Sequence, residues 1–491
     1  MTDTALRAAR GKLFIGGEWR ESSDGRRHEV ITPADGQVLT DVAWATTSDV
    51  DDAVAAAKAA FDAGIWSRLS GRERGRVLNR AAGLIRERAQ ELAQIESADV
   101  GKPILFASIV DVPTAAETFE YYAALAQTQE GAIRDTALPA FQYTTREPVG
   151  VVGALTPFNF PLILSASKLA PALAAGNSIV HKPAEDTPLS ALVLAQILSE
   201  AGLPDGVYNV ITGAGPALGE RIVEHPDVAM IAFTGSTAVG SKVAAKCGEL
   251  FKPVMTELGG NGANIVFADA DLDAAVGAVI NGFVFNSGEF CMAGPRLLVQ
   301  RELHDQLVAI LTQAVPGVPI GDVSDMGTII GPLVSQRHLE RVEGFVERAR
   351  AEGGSVVVGG ERLDLNGGFY YSPTIITGLA NESEAVQEEV FGPVLTVQAF
   401  DTEEEAISLA NSTRYGLAMG VQTRDVVKAM RVAARLEAGL VWINEWGKLD
   451  PTLTFGGVKN SGSGRENGPE ALSHYTRTKS VVIGMPSPEG R

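Results

Sequence analysis

The most reactive side chain in this sequence is a thiol in a short loop. Cys291 lies in a Gly- and Pro-containing segment between a predicted helix, Leu272–Asn286, and a predicted strand, Leu297–Gln300. Loops at strand ends are where α/β proteins place reactive groups. A lone cysteine is also a common inert core residue, so the local context leaves both interpretations open. The second cysteine, Cys247, falls inside a predicted helix and is interpreted as a core residue.

Two polar residues elsewhere have side chains suited to carbonyl chemistry. Glu257 ends a predicted strand and precedes Gly259 and Gly260, which let other groups approach the backbone closely. Asn159 lies in a turn flanked by prolines and aromatic residues. Taken alone, Glu257 is compatible with a solvated loop acid, and Asn159 with a turn residue that bonds its own backbone.

Three segments are candidates for holding an anionic cofactor. Phe233–Thr237 runs from a predicted strand into a helix, where free N–H groups and the helix dipole favour an anion. Lys182 and Glu185 follow another strand and suit a phosphate and ribose hydroxyls, although a surface ion pair explains them equally well. The glycines of 213–219 have one residue too many for a dinucleotide fingerprint and are interpreted as a turn.

Taken in order, seven segments resemble the aldehyde dehydrogenase superfamily, and the resemblance covers the chain from about Leu13 to Val482. The segments are Thr156–Pro161, Lys182–Glu185, Phe233–Thr237, Glu257–Gly260, Gly288–Arg296, Glu388–Pro393 and Phe455–Glu466. Seven motifs in one fixed order are not expected by chance. Together they favour the catalytic interpretation of Cys291.

The resemblance implies a role for each of these side chains. It makes Cys291 the nucleophile, Glu257 the general base and Asn159 the oxyanion donor. In the cofactor site it places Lys182 and Glu185 at the adenosine ribose, Ser236 at the pyrophosphate and Glu389 at the nicotinamide ribose. The other cofactor residues that it indicates are Thr156, Phe158, Gly235 and Phe391. No metal site is expected.

These roles imply oxidation of an aldehyde to a carboxylic acid through a thiohemiacetal and a thioester on Cys291. Glu257 favours hydrolysis of the thioester over its transfer to CoA, because the CoA-acylating members of the superfamily commonly lack this acid. NAD is favoured over NADP, which stays possible. The Glu185 carboxylate would repel the extra phosphate by about 4 kcal/mol at about 4 Å and an effective dielectric near 20, before screening.

The expected partner is a small aldehyde, aliphatic or aromatic. Phe285, Phe290, Trp446 and Leu449, together with Phe158, are candidates for an apolar tunnel, although core roles explain several of them equally well. Two alternatives stay open. One is a dehydrogenase of the semialdehyde or betaine aldehyde type, and the other is a binding protein with this fold and no turnover.

The chain departs from the usual motifs at several positions, all of which affect the shape of the pockets more than the reaction class. Phe158 stands where Trp is common, Glu289 where Gln is common, and Thr454 where Pro is frequent.

Short apolar runs alternate with amphipathic helical patterns along the chain. This alternation is typical of parallel strands joined by crossover helices, and these elements must position the candidate residues. The first series starts at Val151 and the second after Asn264. The predicted fold class is α/β, with two doubly wound, Rossmann-like domains, one for the cofactor and one catalytic, and a small β arm for oligomerisation.

The predicted NAD-binding domain comprises residues 1–132 and 149–257, and the catalytic domain residues 258–445. Residues 133–148 and 474–491 form the oligomerisation arm and tail, and residues 446–473 return to the cofactor and substrate region. The arm is expected to pair with the tail near Val481–Ile483 of another subunit, in a homodimer or homotetramer.

Composition excludes several other classes. The formal charge of −19 leaves little basic surface for phosphate backbones, so no nucleic acid partner is expected. The uncharged stretch Pro148–Ser167 is long enough to cross a bilayer, but its prolines and glycines favour a buried strand, turn and helix, so no membrane association is expected. The first 20 residues lack a secretory apolar core, which favours a cytoplasmic location.

Overall fold

The computed structural model describes residues 11–485. The first ten residues of the predicted cofactor domain and the last six of the predicted tail lie outside the described residues.

Within residues 11–485, twenty-one strands are distributed over two large sheets and three small ones. In chain order they are β1 Leu13–Ile15, β2 Glu18–Arg20, β3 Arg27–Ile31, β4 Val38–Ala43, β5 Ala140–Pro148, β6 Val151–Leu155, β7 Ser178–Lys182, β8 Tyr208–Val210, β9 Val228–Thr234, β10 Val254–Glu257, β11 Ala263–Val266, β12 Arg296–Gln300, β13 Ser355–Val358, β14 Arg362–Leu363, β15 Tyr370–Tyr371, β16 Thr374–Thr377, β17 Val394–Phe400, β18 Ala418–Gln422, β19 Leu440–Ile443, β20 Gly462–Ser463 and β21 Thr476–Gly484.

Helices connect and cover these strands. They span Thr47–Ala63, Gly71–Glu87, Ala89–Val100, Ile104–Phe106, Val112–Leu125, Pro161–Ala175, Leu189–Glu200, Gly215–Glu224, Thr237–Glu249, Leu272–Val284, Arg301–Ala314, Gln336–Ala351, Glu384–Gln387, Glu403–Asn411, Val426–Ala433 and Gly468–His474. Local sequence sets several ends: Thr46 with Asp49, and Ser70 with Glu73, form capping boxes that satisfy N–H groups at the starts of the first two helices.

The first large sheet has the order β2-β1-β8-β7-β6-β9-β10-β20. Its strands from β8 to β10 run parallel, whereas the outer pairings are antiparallel. Both faces are covered, because Val152 and Ile179 belong to one apolar core and Val151 and Val180 to another. The strand order reverses between β6 and β9, and the crevice at such a switch point is where open α/β sheets bind ligands.

The second large sheet has the order β13-β16-β17-β12-β11-β18-β19, and every pairing except β13 with β16 is parallel. The chain enters it between Glu257 and Ala263 and returns to the first sheet at β20. The predicted α/β class with two doubly wound sheets is therefore confirmed.

Three local predictions differ from the structure. The sequence predicts one helix around Gly71–Ala98, but the chain breaks at Arg88, which is not in helical conformation. It predicts the next helix around Ser108–Thr128, but this helix begins at Ile104 and contains a π-helical turn, Ala107–Asp111. The glycines interpreted as a turn lead into the helix Gly215–Glu224.

The arm differs from the expectation in its partner. Strand β5 pairs antiparallel with β21 of the same chain, from Pro148 with Thr476 to Ala140 with Gly484. The predicted pairing of this arm with the tail of another subunit is therefore wrong. The ribbon nonetheless leaves Phe141, Val482 and Ile483 substantially exposed.

The uncharged stretch Pro148–Ser167 forms β6, a turn and the start of the helix Pro161–Ala175, as predicted. Along residues 11–485, none of the helices combines the length and the apolar character that a bilayer crossing requires.

Candidate active site

Three cavities follow one another through the crevice, because neighbouring cavities share a lining residue. The lysine cavity, of about 510 Å³, is lined by Lys182, Lys242 and Lys246, among others. The central cavity, of about 130 Å³, shares Thr234 with it. The apolar cavity, of about 360 Å³, shares Cys291 with the central one. The thiol therefore lies where two cavities meet.

Neighbouring strand ends of the first sheet supply one wall of this crevice. Lys182 ends β7, Asn159 follows β6, Ser236 follows β9 and Glu257 ends β10. Since these four strands are adjacent and parallel, their carboxyl ends lie at one edge of the sheet. The second sheet supplies the other wall through the loops that precede β12 and β17.

The loop that carries Cys291 is held in an unusual backbone conformation. Asn286 and Ser287 have φ values of 50° and 56°, a left-handed region that non-glycine residues rarely adopt. Side-chain bonds hold the loop, since Asn286 Nδ2 donates to the Asn159 backbone carbonyl and Ser287 Oγ to that of Gly331. A Cβ atom at Gly260 would overlap the Cys291 carbonyl, so this close approach requires glycine.

The surroundings of Cys291 disfavour its thiolate. Burial raises the pKa of the thiol, and the carboxyl groups of Glu389, Glu257 and Glu466 raise it further. From the sequence, we expect modest activation of the thiol by a helix end or a nearby base to be sufficient. The structure shifts the pKa in the opposite direction because desolvation and three nearby carboxyl groups both act against the charged sulfur.

Asn159 is buried beside the thiol and is anchored by one of its two amide hydrogens. Its Nδ2 donates to the Glu289 backbone carbonyl at 3.0 Å and also lines the central cavity with Cys291. Asn286 Nδ2 donates to the same carbonyl at 3.0 Å. Within residues 11–485 the second amide hydrogen of Asn159 has no such acceptor, and it suits an oxygen that gains negative charge in the cavity.

Glu257 is a buried carboxyl group without a hydrogen-bond partner on either oxygen among the described residues. Burial raises its pKa well above the usual range, and the neighbouring Glu466 raises it further, whereas Lys168 acts in the opposite direction. Lys168 Nζ pairs with Glu466 and donates to Thr234 Oγ1, and Ser167 Oγ donates to Glu466. A base of raised pKa thus lies beside a buried ion pair.

Glu389 closes the central cavity opposite the first sheet. Its Oε1 accepts the Gly260 N–H at 2.8 Å, and burial raises its pKa to about 7. The rings of Phe158, His338 and Phe391 touch one another nearby, with centroids 5.7 to 5.9 Å apart. Phe158 and Phe391 both line the central cavity, and neither lines the apolar cavity.

The lysine cavity brings together part of the predicted adenosine site. Lys182 and Thr156 line it, and burial lowers the pKa of Lys182 to about 8, although Glu185 and Asp186 oppose this shift. Glu185 does not line the cavity, but its Oε2 accepts the N–H of Gly215, which does. Ser236, the N-cap of the helix Thr237–Glu249, lines the central cavity beside Gly235.

The four residues predicted for an apolar tunnel lie together. Phe285, Phe290, Trp446 and Leu449 all line the apolar cavity, on the far side of Cys291 from Glu389.

A family model described as the aldehyde dehydrogenase family matches residues 19–481. The chain belongs to the aldehyde dehydrogenase family. It is also similar to the NAD⁺ complex of betaine aldehyde dehydrogenase from Staphylococcus aureus, with 37% identity and a TM-score of 0.97 over 99% of this chain and 98% of that one. The NAD⁺ complex of an aldehyde dehydrogenase from Bacillus cereus is 40% identical, with a TM-score of 0.97 and 99% of each chain covered. An aldehyde-oxidising oxidoreductase is therefore the enzyme class of this chain.

In this aldehyde dehydrogenase fold, three groups at the site were missed by sequence reasoning. Lys168 had a readable signal, because it is the single charge in an otherwise apolar helix. Glu466 is the last residue of the motif Phe455–Glu466, which was recognised from the sequence without a role for this residue. His338 had no local signal, since its contacts with Phe158 and Phe391 join the start of a helix to two loops that are distant in sequence.

Proposed function

We propose that the protein oxidises an aldehyde to a carboxylic acid with NAD, through a covalent adduct on Cys291 that is released by hydrolysis. The observation that carries this proposal is the position of Cys291 between the central and apolar cavities, with the Asn159 amide beside it. A substrate in one cavity and a cofactor in the other would meet at the sulfur.

The residues present fit a dinucleotide. Three lysines line the lysine cavity and can neutralise phosphate charge, and the helix that begins after Ser236 directs its free N–H groups toward the crevice. The relatives from S. aureus and B. cereus were solved with NAD⁺. Lys182, Ser236 and Glu389 would hold it, and when bound it supplies the hydride acceptor.

Addition of the sulfur to the aldehyde is the first step that the chain's own residues perform. The S–C bond forms, the carbonyl π bond becomes an oxyanion, and the thiol proton passes to solvent. In this proposal the second amide hydrogen of Asn159 binds that oxyanion. Losing one such donor costs about 2.7–4 kcal/mol of barrier in comparable sites.

When the oxyanion re-forms the C=O bond, the C–H bond breaks and the hydride leaves to its acceptor, so that the adduct is now a thioester. Hydrolysis of this thioester is the next step, and Glu257 suits it. Water attacks the acyl carbon, Glu257 accepts its proton, the C–S bond breaks and the acid leaves. Because burial raises the pKa of Glu257, this carboxylate is a stronger base than an exposed glutamate. The charges of Glu466 and Lys168, which form an ion pair, both act on the pKa of Glu257.

The proposal is tested by mixing purified protein with NAD and a panel of aldehydes while NADH is measured. NADH is expected from the wild-type protein and from Cys247→Ser, whose thiol lies in a separate apolar core, but not from Cys291→Ser. Folded wild-type protein that forms no NADH with any aldehyde contradicts the proposal and favours a binding protein.

Betaine aldehyde is a second substrate candidate, favoured by the similarity to the S. aureus enzyme of that name. We infer, in addition, that the chain forms a homodimer or homotetramer. The exposed apolar side chains of the β5–β21 ribbon support this, since they would be covered in an assembly. Light scattering that gives a monomer at working concentration would contradict it.

A further inference from the structure

Trp446 fills a slot whose walls are made of glycine. The ring is buried, although it also borders the apolar cavity. A Cβ atom at Gly294 would lie 2.7 Å from the ring and one at Gly420 2.6 Å from it, closer than carbon atoms pack. A Cβ atom at Gly282 would lie 3.4 Å away, an ordinary contact. Because these glycines belong to a loop, a strand and a helix, three elements around the second sheet fix the position of the indole.

The indole N–H of this ring reaches the residue that follows Cys291. Trp446 Nε1 donates to the Met292 backbone carbonyl at 3.2 Å. Cys291 and Met292 are the two central residues of a turn, which the Ala293 N–H closes on the Phe290 carbonyl at 2.8 Å. Within residues 11–485 the Met292 carbonyl accepts no other hydrogen bond. The side chain of Trp446 therefore fixes the peptide that leaves this turn.

The peptide on the other side of Met292 acts on the sulfur. The Met292 N–H lowers the pKa of the Cys291 thiol, whereas burial and three carboxyl groups, those of Glu389, Glu257 and Glu466, raise it. An N–H that donates to the sulfur stabilises the thiolate more than the neutral thiol. If the Met292 carbonyl loses its donor, this residue can rotate, and its N–H then turns away from the sulfur.

We propose that Trp446 is a positioning residue for the nucleophile, because its bond to the Met292 carbonyl keeps the Met292 N–H directed at the Cys291 sulfur. This rests on the proposed function of Cys291. Trp446 lines the apolar cavity, as the sequence predicts, but the bond to Met292 gives it a second role. A phenyl ring in the same slot could not fill that role, since it has no donor.

The proposal is tested through the reactivity of the thiol, without aldehyde or NAD. Trp446→Phe keeps an aromatic ring in the slot but removes the N–H. Alkylation of Cys291 by iodoacetamide at one fixed pH should slow about tenfold, because the thiolate loses a hydrogen bond. The matched control is Trp442→Phe. Its ring lies 5.0 Å from that of Trp446, but its N–H donates to the Lys448 carbonyl, so alkylation should keep the wild-type rate.

Two reagents separate a loss of thiolate from a change in access. Iodoacetamide and its bulkier N-phenyl derivative react with the thiolate by the same chemistry. A smaller thiolate fraction slows both reagents by the same factor, whereas a reshaped cavity affects the two reagents unequally. Unequal factors for Trp446→Phe, or rates within about twofold of wild type, overturn the proposal.

Gly294→Ala tests the same link from the slot. The three atoms nearest to its Cβ would all belong to Trp446, so the substitution should displace the indole and slow alkylation by a similar factor. Added to Trp446→Phe, it should slow alkylation little further, because the donor is already absent. Fully additive effects contradict a shared route through the Met292 carbonyl.

A binding measurement completes the experiment. The NAD dissociation constant, measured by fluorescence quenching, should be unchanged in every variant. Loss of NAD binding in Trp446→Phe would give the ring a general structural role and overturn the proposal. Slower alkylation in a protein that oxidises no aldehyde refutes only the proposed function, whereas unchanged alkylation of Trp446→Phe in an active enzyme refutes only this inference.

Discussion

Replacing Glu257 by glutamine is expected to separate the two halves of the reaction. Glutamine keeps the size of the side chain but cannot accept a proton from water. In the wild-type protein this carboxyl group is buried, and burial raises its pKa. A general base contributes about 100- to 10,000-fold, or about 3–5 kcal/mol of barrier, so hydrolysis of the thioester should slow by that factor.

Stopped-flow measurement of NADH resolves the two steps. Glu257→Gln should give a burst of one NADH per active site, because Cys291 and Asn159 are intact, followed by a nearly flat line. A wild-type-like steady state would refute the role of Glu257 in hydrolysis. Loss of the burst itself would instead show that Glu257 acts before the thioester forms.

Three further predictions concern neighbouring groups. Asn159→Ala should lower kcat about 100- to 1,000-fold, because one oxyanion donor is lost. The NAD dissociation constant, measured by fluorescence quenching, should stay unchanged. A normal kcat would show that Asn159 does not bind the oxyanion. Glu185→Gln keeps an acceptor for the Gly215 N–H but removes the negative charge. The kcat/KM with NADP, divided by the kcat/KM with NAD, should therefore rise about tenfold or more. An unchanged ratio argues against charge as the cause of the NAD preference. Because burial raises the folded-state pKa of Glu257 above its ordinary value of 4.5, the folded protein binds this proton more tightly and loses stability as pH rises from that value toward the folded pKa. The Tm advantage of Glu257→Gln over wild type should therefore grow between pH 5 and pH 8, and a constant difference contradicts the raised pKa.

The fold was largely predictable because its signals are local and repeated. The sequence predicts strands at Val394–Phe400, Ala418–Gln422 and Leu440–Ile443, and the structure has strands with the same bounds. Such strands can be predicted because parallel strands are buried on both faces and form apolar runs. The break at Arg88 and the π-helical turn at Ala107–Asp111 were not predicted. Both depend on packing between helices and have no local sequence pattern.

The sequence predicted which residues form the candidate site, but it could not predict their electrostatics. Cys291 and Asn159, two of the predicted residues, line the same cavity, and Glu257 lies close enough to raise the pKa of the Cys291 thiol. The upward shift in the pKa of Cys291 depends first on desolvation and then on Glu389, and neither effect exists until the two sheets meet. Likewise, an extended arm can be recognised from the sequence. The sequence does not show whether the arm pairs with the tail of its own chain, as the structure has it, or with that of another copy.

The covalent adduct on Cys291 is tested most directly by mass spectrometry. Glu257→Gln protein is mixed with NAD and phenylacetaldehyde, quenched in acid during the NADH burst and digested. We expect the peptide that contains Cys291 to gain the mass of one phenylacetyl group, in proportion to the NADH formed, while the peptide with Cys247 stays unmodified. NADH formed with an unmodified Cys291 peptide would contradict a reaction through a thioester on this residue.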